Sequence, residues 1–143
     1  MIGNRAKDMD ADEKHDQGLL HASLTRKIIG CALEVINELG SGFVESVYEK
    51  ALSVALTDAG IAHEMQKPIS VHFRGESVGD FVADILVEGR VIVELKAVRA
   101  IIPEHEAQVI NYLNATGVEV GLLVNFGTPR LGFKRFTRSK KQG

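Results

Sequence analysis

Two short apolar segments near the middle of the chain carry the charged residues that most constrain its fold. Residues 81–87 and 91–96 both have the composition of buried β-strands, yet the first contains Asp84 and the second contains Glu94 and Lys96. Burying a charged side chain is costly unless it is paired, hydrogen-bonded or bound to a metal. Charges inside two buried strands therefore predict a functional site.

The period of a β-strand decides whether these charges meet. Glu94 and Lys96 are two residues apart, so they project from the same face of their strand. Asp84 reaches that face opposite Glu94 only if residues 88–90 form a three-residue connection, because a two-residue turn would shift the register. The alternative is an ion pair between Lys96 and one carboxylate on a solvated sheet face.

Two predicted helices bring further polar side chains toward such a site. Glu45 heads a helical stripe that is otherwise apolar, so its carboxylate needs a partner. The alternative is a negative charge that simply favours the positive end of its helix. His105, Gln108 and Tyr112 share one face of a later helix, where the amide and phenol groups can hydrogen-bond a nucleotide, a metal-bound water or the acidic residues. An ordinary polar helix face is the alternative there.

Two carboxylates and a lysine are the parts of a metal-dependent phosphodiesterase. Asp84 and Glu94 offer oxygen ligands to a divalent cation. Lys96 beside that cation would orient a water molecule or stabilise charge that develops on a phosphate. Motifs of other chemistries are missing, because the sequence has no phosphate-binding loop, no dinucleotide-binding glycine pattern and no serine nucleophile elbow.

The order of the predicted elements defines the fold class. Helices are predicted over residues 24–39 and 43–59, strands over 69–73, 81–87 and 91–96, a third helix from 103 to about 117, and strands over 118–124 and 131–137. The first three strands can form an antiparallel meander, whereas the strand after the third helix follows a crossover and joins parallel to a neighbour. The sequence therefore predicts an α/β (α+β) protein with a mixed sheet flanked by helices.

Length and composition limit the class of protein. A chain of 143 residues fits one domain, which we expect over residues 20–137, with a disordered or frayed segment over 1–19 and a basic tail over 138–143. The single cysteine, Cys31, cannot form an internal disulfide, which fits a reducing compartment. Because signal-peptide and bilayer-spanning patterns are also missing, we expect a cytoplasmic protein without a membrane partner.

The charge distribution bears on nucleic-acid binding. A net charge of −2 argues against a protein that coats nucleic acid non-specifically. Basic residues near the C-terminus, interleaved with Phe133 and Phe136, form either a solvated tail or a strip that contacts the phosphate backbone. They are Arg130, Lys134, Arg135, Arg138, Lys140 and Lys141.

Residues 38–52 resemble the signature of the GxxExxY proteins, with Gly42, Glu45 and Tyr48 at the three named positions. That family is placed in the PD-(D/E)XK nuclease-like superfamily, and the resemblance covers about residues 24–136. It continues through Asp84, the run Glu94-Leu95-Lys96, the pair Gln108-x3-Tyr112 and the strand end at 122–127. One position departs from the superfamily name, because Ala83 stands where the name implies a proline.

The resemblance implies a restriction-endonuclease-like αβββαβ core, an extra N-terminal helix and a site for Mg²⁺ or Mn²⁺. It implies that Asp84 and Glu94 bind the metal directly and that Leu95 offers its backbone carbonyl. Glu45 would complete the acidic cluster from its helix.

The same resemblance implies roles for the remaining residues. Lys96 would position or activate the attacking water, and Gln108 and Tyr112 match the Gln-x3-Tyr element of RecB-like nucleases. The implied function is a metal-dependent nuclease that acts on DNA or RNA, with a homodimer as a common form of such small enzymes. The alternative is a non-catalytic module that binds nucleic acid or protein through the same fold.

Overall fold

The computed structural model describes residues 20–138, and its elements follow the predicted order. They are α1 (Ala22–Leu39), α2 (Glu45–Asp58), β1 (His63–Phe73), β2 (Glu76–Val87), β3 (Val91–Lys96), α3 (Pro103–Thr116), β4 (Val120–Asn125) and β5 (Gly132–Thr137). The predicted frayed segment 1–19 and the tail beyond Arg138 lie outside the described residues. No helix within residues 20–138 has both the length and the apolarity needed to cross a membrane.

A five-stranded mixed sheet in the order β1-β2-β3-β4-β5 forms the centre of the fold. β1, β2 and β3 pair in antiparallel fashion, β3 pairs with β4 in parallel, and β4 pairs with β5 in antiparallel fashion. The predicted meander, the parallel strand after the α3 crossover and the α+β class are therefore confirmed. α3 supplies the connection that two parallel neighbours require.

The two faces of the sheet are covered by different helices. Val91, Val93 and Leu95 of β3 pack into the core formed with α1 and α2, whereas Ile92 packs into the core formed with α3. β3 is therefore buried on both faces, as its continuous apolar composition predicts. A carboxylate on this strand is consequently removed from bulk water, and Glu94 is only 3% exposed.

The buried face of α2 differs from the sequence prediction. In the sequence, the apolar residues Val44, Val47, Ala51, Val54 and Ala55 predict the main apolar face of this helix. In the structure, however, the Val44 and Val54 side chains are 68% and 62% exposed. Tyr48, Leu52 and Leu56 are buried instead. These larger side chains remove more apolar surface from water than valines do, and that difference favours the observed rotation of the helix. The buried stripe is therefore the one that Glu45 heads.

β1 begins at His63, six positions before the predicted start at residue 69. Pro68 weakens the strand signal in the sequence, but a proline is tolerated in β1 because β1 is an edge strand. β2 pairs with β3 only over its last three residues, whereas it pairs with β1 along nearly its whole length. Residues 69–82 therefore extend past β3 as a two-stranded projection, which we call the hairpin arm.

The segment after β3 is fastened by the end of β4. The Asn125 side chain accepts a hydrogen bond from the Val98 N–H at 3.0 Å and donates one to the Val98 carbonyl at 2.9 Å. Its oxygen also accepts the Gly127 N–H at 3.0 Å. A Cβ atom at Gly127 would lie 2.2 Å from the nitrogen and the oxygen of Val98, so only glycine allows this approach. The contact fixes the backbone that directly follows Lys96.

Candidate active site

The register of β2 and β3 is the one that the sequence predicted. Ile85 pairs with Val93 and Val87 pairs with Val91, and the Arg90 N–H closes the connection on the Val87 carbonyl at 2.9 Å. The predicted three-residue connection is therefore confirmed. It turns Asp84 toward Glu94, which lies at the position across the strand pair.

On the Asp84 side of Ile85, hydrogen bonds to carboxylate side chains replace the backbone hydrogen bonds between β2 and β3. The Asp84 N–H donates to Oε1 of Glu94 at 3.0 Å, and the Leu95 N–H donates to Oδ2 of Asp84 at 2.8 Å. Each carboxyl group thus accepts a backbone hydrogen bond from the neighbouring strand. The two side chains therefore meet at the point where β2 and β3 separate.

The electrostatics of this pair follow from its burial. Loss of solvent around Glu94, and secondarily the negative charge of Asp84, raises the pKa of Glu94 to about 9. The Asp84 N–H and the Lys96 ammonium lower the pKa of Glu94 only in part. Without a cation, the Asp84–Glu94 pair therefore retains a proton at neutral pH. A divalent cation would displace that proton, because metal ligands bind in their deprotonated form.

Glu94→Gln is expected to make the metal-free protein progressively more stable than the wild type as the pH rises from 5 to 9. The wild type loses stability over this range because Glu94, whose folded pKa of about 9 lies above its unfolded value, must retain a proton to remain favourable. Glutamine has the same shape, keeps an oxygen for the Asp84 N–H and does not titrate. Urea unfolding in EDTA at several pH values measures the difference.

The matched control for this experiment is Glu38→Gln, on the exposed side of α1. Its free energy of unfolding should run parallel to that of the wild type across the same pH range. Parallel curves for Glu94→Gln would contradict the assignment of a buried, proton-binding carboxyl group at this position.

A chain of side chains reaches the carboxylates from α3. The Lys96 ammonium donates to Oε1 of Gln108 at 3.4 Å, and Nε2 of Gln108 donates to the Tyr112 hydroxyl at 2.9 Å. Burial, and then the negative charges of Glu94 and Asp84, raise the pKa of Tyr112. These interactions bring Lys96, Gln108 and Tyr112 beside the carboxylate pair.

Glu45 approaches the same region from the other helix layer. It is the first residue of α2 and is half-buried. Burial raises the pKa of its carboxyl group, the Lys96 charge lowers it, and the charges of Asp84 and Glu49 raise it. Within residues 20–138, no hydrogen bond or ion pair joins Glu45 to Asp84 or Lys96. Glu45 therefore lies within electrostatic reach of the pair without direct contact.

The contacts of the Tyr48 side chain account for the spacing of Gly42, Glu45 and Tyr48 in the sequence. The Tyr48 hydroxyl donates to the Gly40 carbonyl at 2.6 Å and accepts the Phe43 N–H at 3.1 Å, which fastens the loop before α2. Gly42 has a φ of +117°, which favours glycine. Because Tyr48 lies one helical turn after Glu45, fixing the loop also fixes where Glu45 starts the helix.

Two further residues near the carboxylates were missed in the sequence. Burial and the Asp84 charge raise the pKa of Glu49, and the Gln66 amide donates to the Glu49 carboxylate. Glu49 follows Glu45 by four residues, so the helical period could have indicated it. Gln66 could not be found in this way. It lies on β1, between the residues that pair with Ala83 and Ile85, and its φ of +49° is a conformation that nothing in its local sequence predicts.

The donor atoms fit a hard divalent cation. Residues 20–138 contain no group of three or more carboxylate, imidazole or thiolate side chains close enough to hold a metal by themselves. Mg²⁺, however, is commonly bound through one or two carboxylates while water and substrate oxygens complete its shell. Asp84 and Glu94 provide that number of carboxylates. The site therefore suits a divalent cation whose coordination shell is completed by other oxygen ligands.

A mixed sheet with paired carboxylates and a lysine at the end of neighbouring strands defines a nuclease-like class of protein. The sequence model of the PD-(D/E)XK nuclease superfamily matches residues 22–136, so the chain belongs to that superfamily. Nucleases of this superfamily generally use divalent metal ions. A search of curated protein sequences gives no significant match.

Solved structures share the fold at low sequence identity. The crystal structure of SSO0001 superposes with a TM-score of 0.55 and 18% identity, covering 67% of this chain and 52% of that protein. An alkaline exonuclease from Laribacter hongkongensis superposes with a TM-score of 0.51 and 14% identity, covering 82% of this chain and 71% of the exonuclease. The chain thus spans about half the length of SSO0001, and at these identities the likeness shows the fold alone.

Proposed function

We propose that the protein is a metal-dependent nuclease of the GxxExxY type that hydrolyses phosphodiester bonds in DNA or RNA. The observation that carries the proposal is the reciprocal contact of Asp84 and Glu94 at the separation of β2 and β3, with Lys96 on the same strand face as Glu94. A buried carboxylate pair is unfavourable without a proton or a cation. A metal-binding role would explain why such a carboxylate pair lies beside a lysine.

In this proposal Asp84 and Glu94 hold Mg²⁺ or Mn²⁺. The Leu95 carbonyl leaves β3 on the same side as the Leu95 N–H that contacts Asp84, so it faces the pair as well. Glu45, and Glu49 held by Gln66, add negative charge at the outer side of the site. When bound, the cation would supply Lewis-acid stabilisation of the phosphate.

Lys96 is the proposed group that positions or activates the attacking water. Its ammonium is directed by Oε1 of Gln108, which is itself fixed by the Tyr112 hydroxyl. A positive charge held in this way can orient a water molecule and stabilise negative charge that develops on the phosphate. Gln108 and Tyr112 therefore act as residues that orient Lys96 and border the substrate.

The remaining proposals concern assembly and compartment. We propose a homodimer because small single-domain nucleases commonly act as dimers, and light scattering of the purified protein tests it. We place the protein in the cytoplasm, since Cys31 is a buried free thiol.

The proposed activity is tested with a panel of single-stranded and duplex DNA and RNA in Mg²⁺ or Mn²⁺. The wild type should cut at least one substrate, and EDTA should stop the reaction. The same cations should raise the melting temperature through binding to the folded state. Asp84→Asn should remove both the cleavage and the rise in melting temperature, because it removes one of the two carboxylate ligands.

Glu38→Gln again serves as the control, because it removes an exposed carboxylate of α1. It should cut and respond to metal like the wild type. If the cation raises the melting temperature but nothing in the panel is cut, the site binds metal without catalysis and the non-catalytic alternative gains support. An unchanged metal response in Asp84→Asn would assign the cation to another part of the chain.

A further inference from the structure

A cavity of about 860 Å³ lies between the hairpin arm and α3. His72 and Phe81 line it from the arm, and Gln108, Asn111, Tyr112 and Asn114 line it from the helix. Its volume is within the range of pockets that hold small organic ligands. A second cavity of about 420 Å³ shares His72 and continues toward the C-terminal end of α3. We call the two cavities together the groove, and the first cavity is its larger part.

The groove borders the candidate active site, because two residues belong to both. Gln108 and Tyr112 line the groove and also connect to Lys96 through hydrogen bonds of 3.4 and 2.9 Å. A polymer that occupies the groove would therefore contact the two side chains that orient Lys96. These shared residues link the groove to the substrate rather than to an unrelated ligand.

The side chains of the groove match nucleobases and do not match phosphates. Among the described residues that line its larger part, Glu104 is the only Asp, Glu, Lys or Arg, and Lys67 of the smaller part is paired with Glu64 at 2.8 Å. The groove therefore offers little positive charge to a phosphate backbone. Asn111 and Asn114 carry donors and acceptors that can bind base edges. Phe81 is 45% exposed and packs against Tyr112 at a ring-centroid distance of 5.6 Å. It presents an aromatic surface at the groove.

We propose that this groove binds the unpaired bases of a single-stranded nucleic acid, with Phe81 as a stacking platform. Bases in a duplex are stacked inside the helix and expose phosphates to a protein surface, whereas a single strand can turn its bases into an aromatic groove. The inference rests on the proposed nuclease function, because a strand whose bases lie in the groove would bring a backbone phosphate toward Asp84 and Glu94. Single-stranded nucleic acid is therefore the expected substrate class.

The test measures binding separately from cleavage. Asp84→Asn protein, in which the groove is unchanged, is titrated against single-stranded DNA and RNA oligonucleotides containing 2-aminopurine and against the matching duplexes. Stacking on Phe81 should quench the probe in the single strands. Phe81→Ala in the same background should weaken single-strand binding by roughly ten-fold and reduce the quenching, as loss of one stacking contact predicts.

Variants separate stacking from damage to the fold. Phe81→Tyr keeps a ring and should bind like the parent, and Asn111→Asp should weaken binding because it adds negative charge to the groove. The control is Phe73→Ala, which removes another exposed ring of the hairpin arm, at a position outside the residues that line the two cavities. It should bind like the parent. All variants should keep the thermal unfolding midpoint within a few degrees, since the altered side chains are exposed.

Three results would overturn the groove proposal: no binding of either single strand, equal binding of duplex and single strand, or parental affinity in both Phe81→Ala and Asn111→Asp. Cleavage by otherwise wild-type protein then distinguishes the two proposals. If Phe81→Ala cuts its substrate as fast as the wild type does, the nuclease stands and the groove assignment falls. If single strands bind through Phe81 but no substrate is cut with any cation, the groove stands and the nuclease assignment falls.

Discussion

Lys96→Ala is expected to lower the rate of phosphodiester cleavage by about a hundred- to a thousand-fold, the size of effect that follows loss of one electrostatic group at a transition state. Gln108 holds the ammonium beside the carboxylate pair, and β3 carries no second basic side chain that could replace it. Metal affinity should stay the same or improve, because the variant removes a positive charge next to the cation. Single-turnover cleavage and a calorimetric Mn²⁺ titration measure the two quantities.

Lys27→Ala is the matched control, because Lys27 is an exposed lysine of α1. It should cut and bind metal like the wild type. A Lys96→Ala protein that cuts at the wild-type rate would remove lysine from the proposed mechanism. A variant that loses metal binding and cleavage together would instead assign Lys96 to the integrity of the cation site.

Gly127→Ala is expected to destabilise the protein by about 3 kcal/mol or more, at the upper end of single substitutions. The new Cβ atom would lie 2.2 Å from backbone atoms of Val98, and backbone cannot move away as a flexible side chain can. The shift would also strain the three hydrogen bonds that Asn125 makes to Val98 and Gly127. Urea unfolding at neutral pH measures the loss.

Gly30→Ala provides the opposite control, because Gly30 lies inside α1 and an added Cβ meets nothing within 4 Å. Alanine should stabilise the helix by about 0.5–1 kcal/mol through its better helical propensity. Equal effects of the two substitutions would mean that the close approach at Gly127 relaxes without cost. Because Val98 follows Lys96 closely, Gly127→Ala should also reduce cleavage at temperatures where the protein is still folded.

Much of the site could be predicted because strand geometry is regular. The separation of Glu94 and Lys96 by two residues fixes a common face, and a three-residue connection at 88–90 brings Asp84 opposite Glu94. The register of β2 and β3 confirms this connection. The helical positions of Gln108 and Tyr112 follow from a period of the same kind, and the two side chains are hydrogen-bonded to each other.

Residues that depend on contacts between distant elements could not be predicted in the same way. Gln66 reaches Glu49 because β1 bends into a positive φ at that position, and local sequence carries no sign of the bend. The apolar pattern of α2 was compatible with two buried faces, and the choice of the Tyr48 face was decided by the loop and by Phe126, on which Tyr48 stacks at 4.7 Å.

The sequence by itself determined the order of elements, the mixed sheet and the meeting of Asp84, Glu94 and Lys96, because these follow from short-range periods and from the length of one connection. The tertiary structure alone decided how deeply Glu94 is buried, and hence the direction of its pKa shift, because burial depends on the layers that pack on both faces of β3. It also decided the groove beside the site, because a groove is formed by the distance between the hairpin arm and α3, which no local pattern encodes.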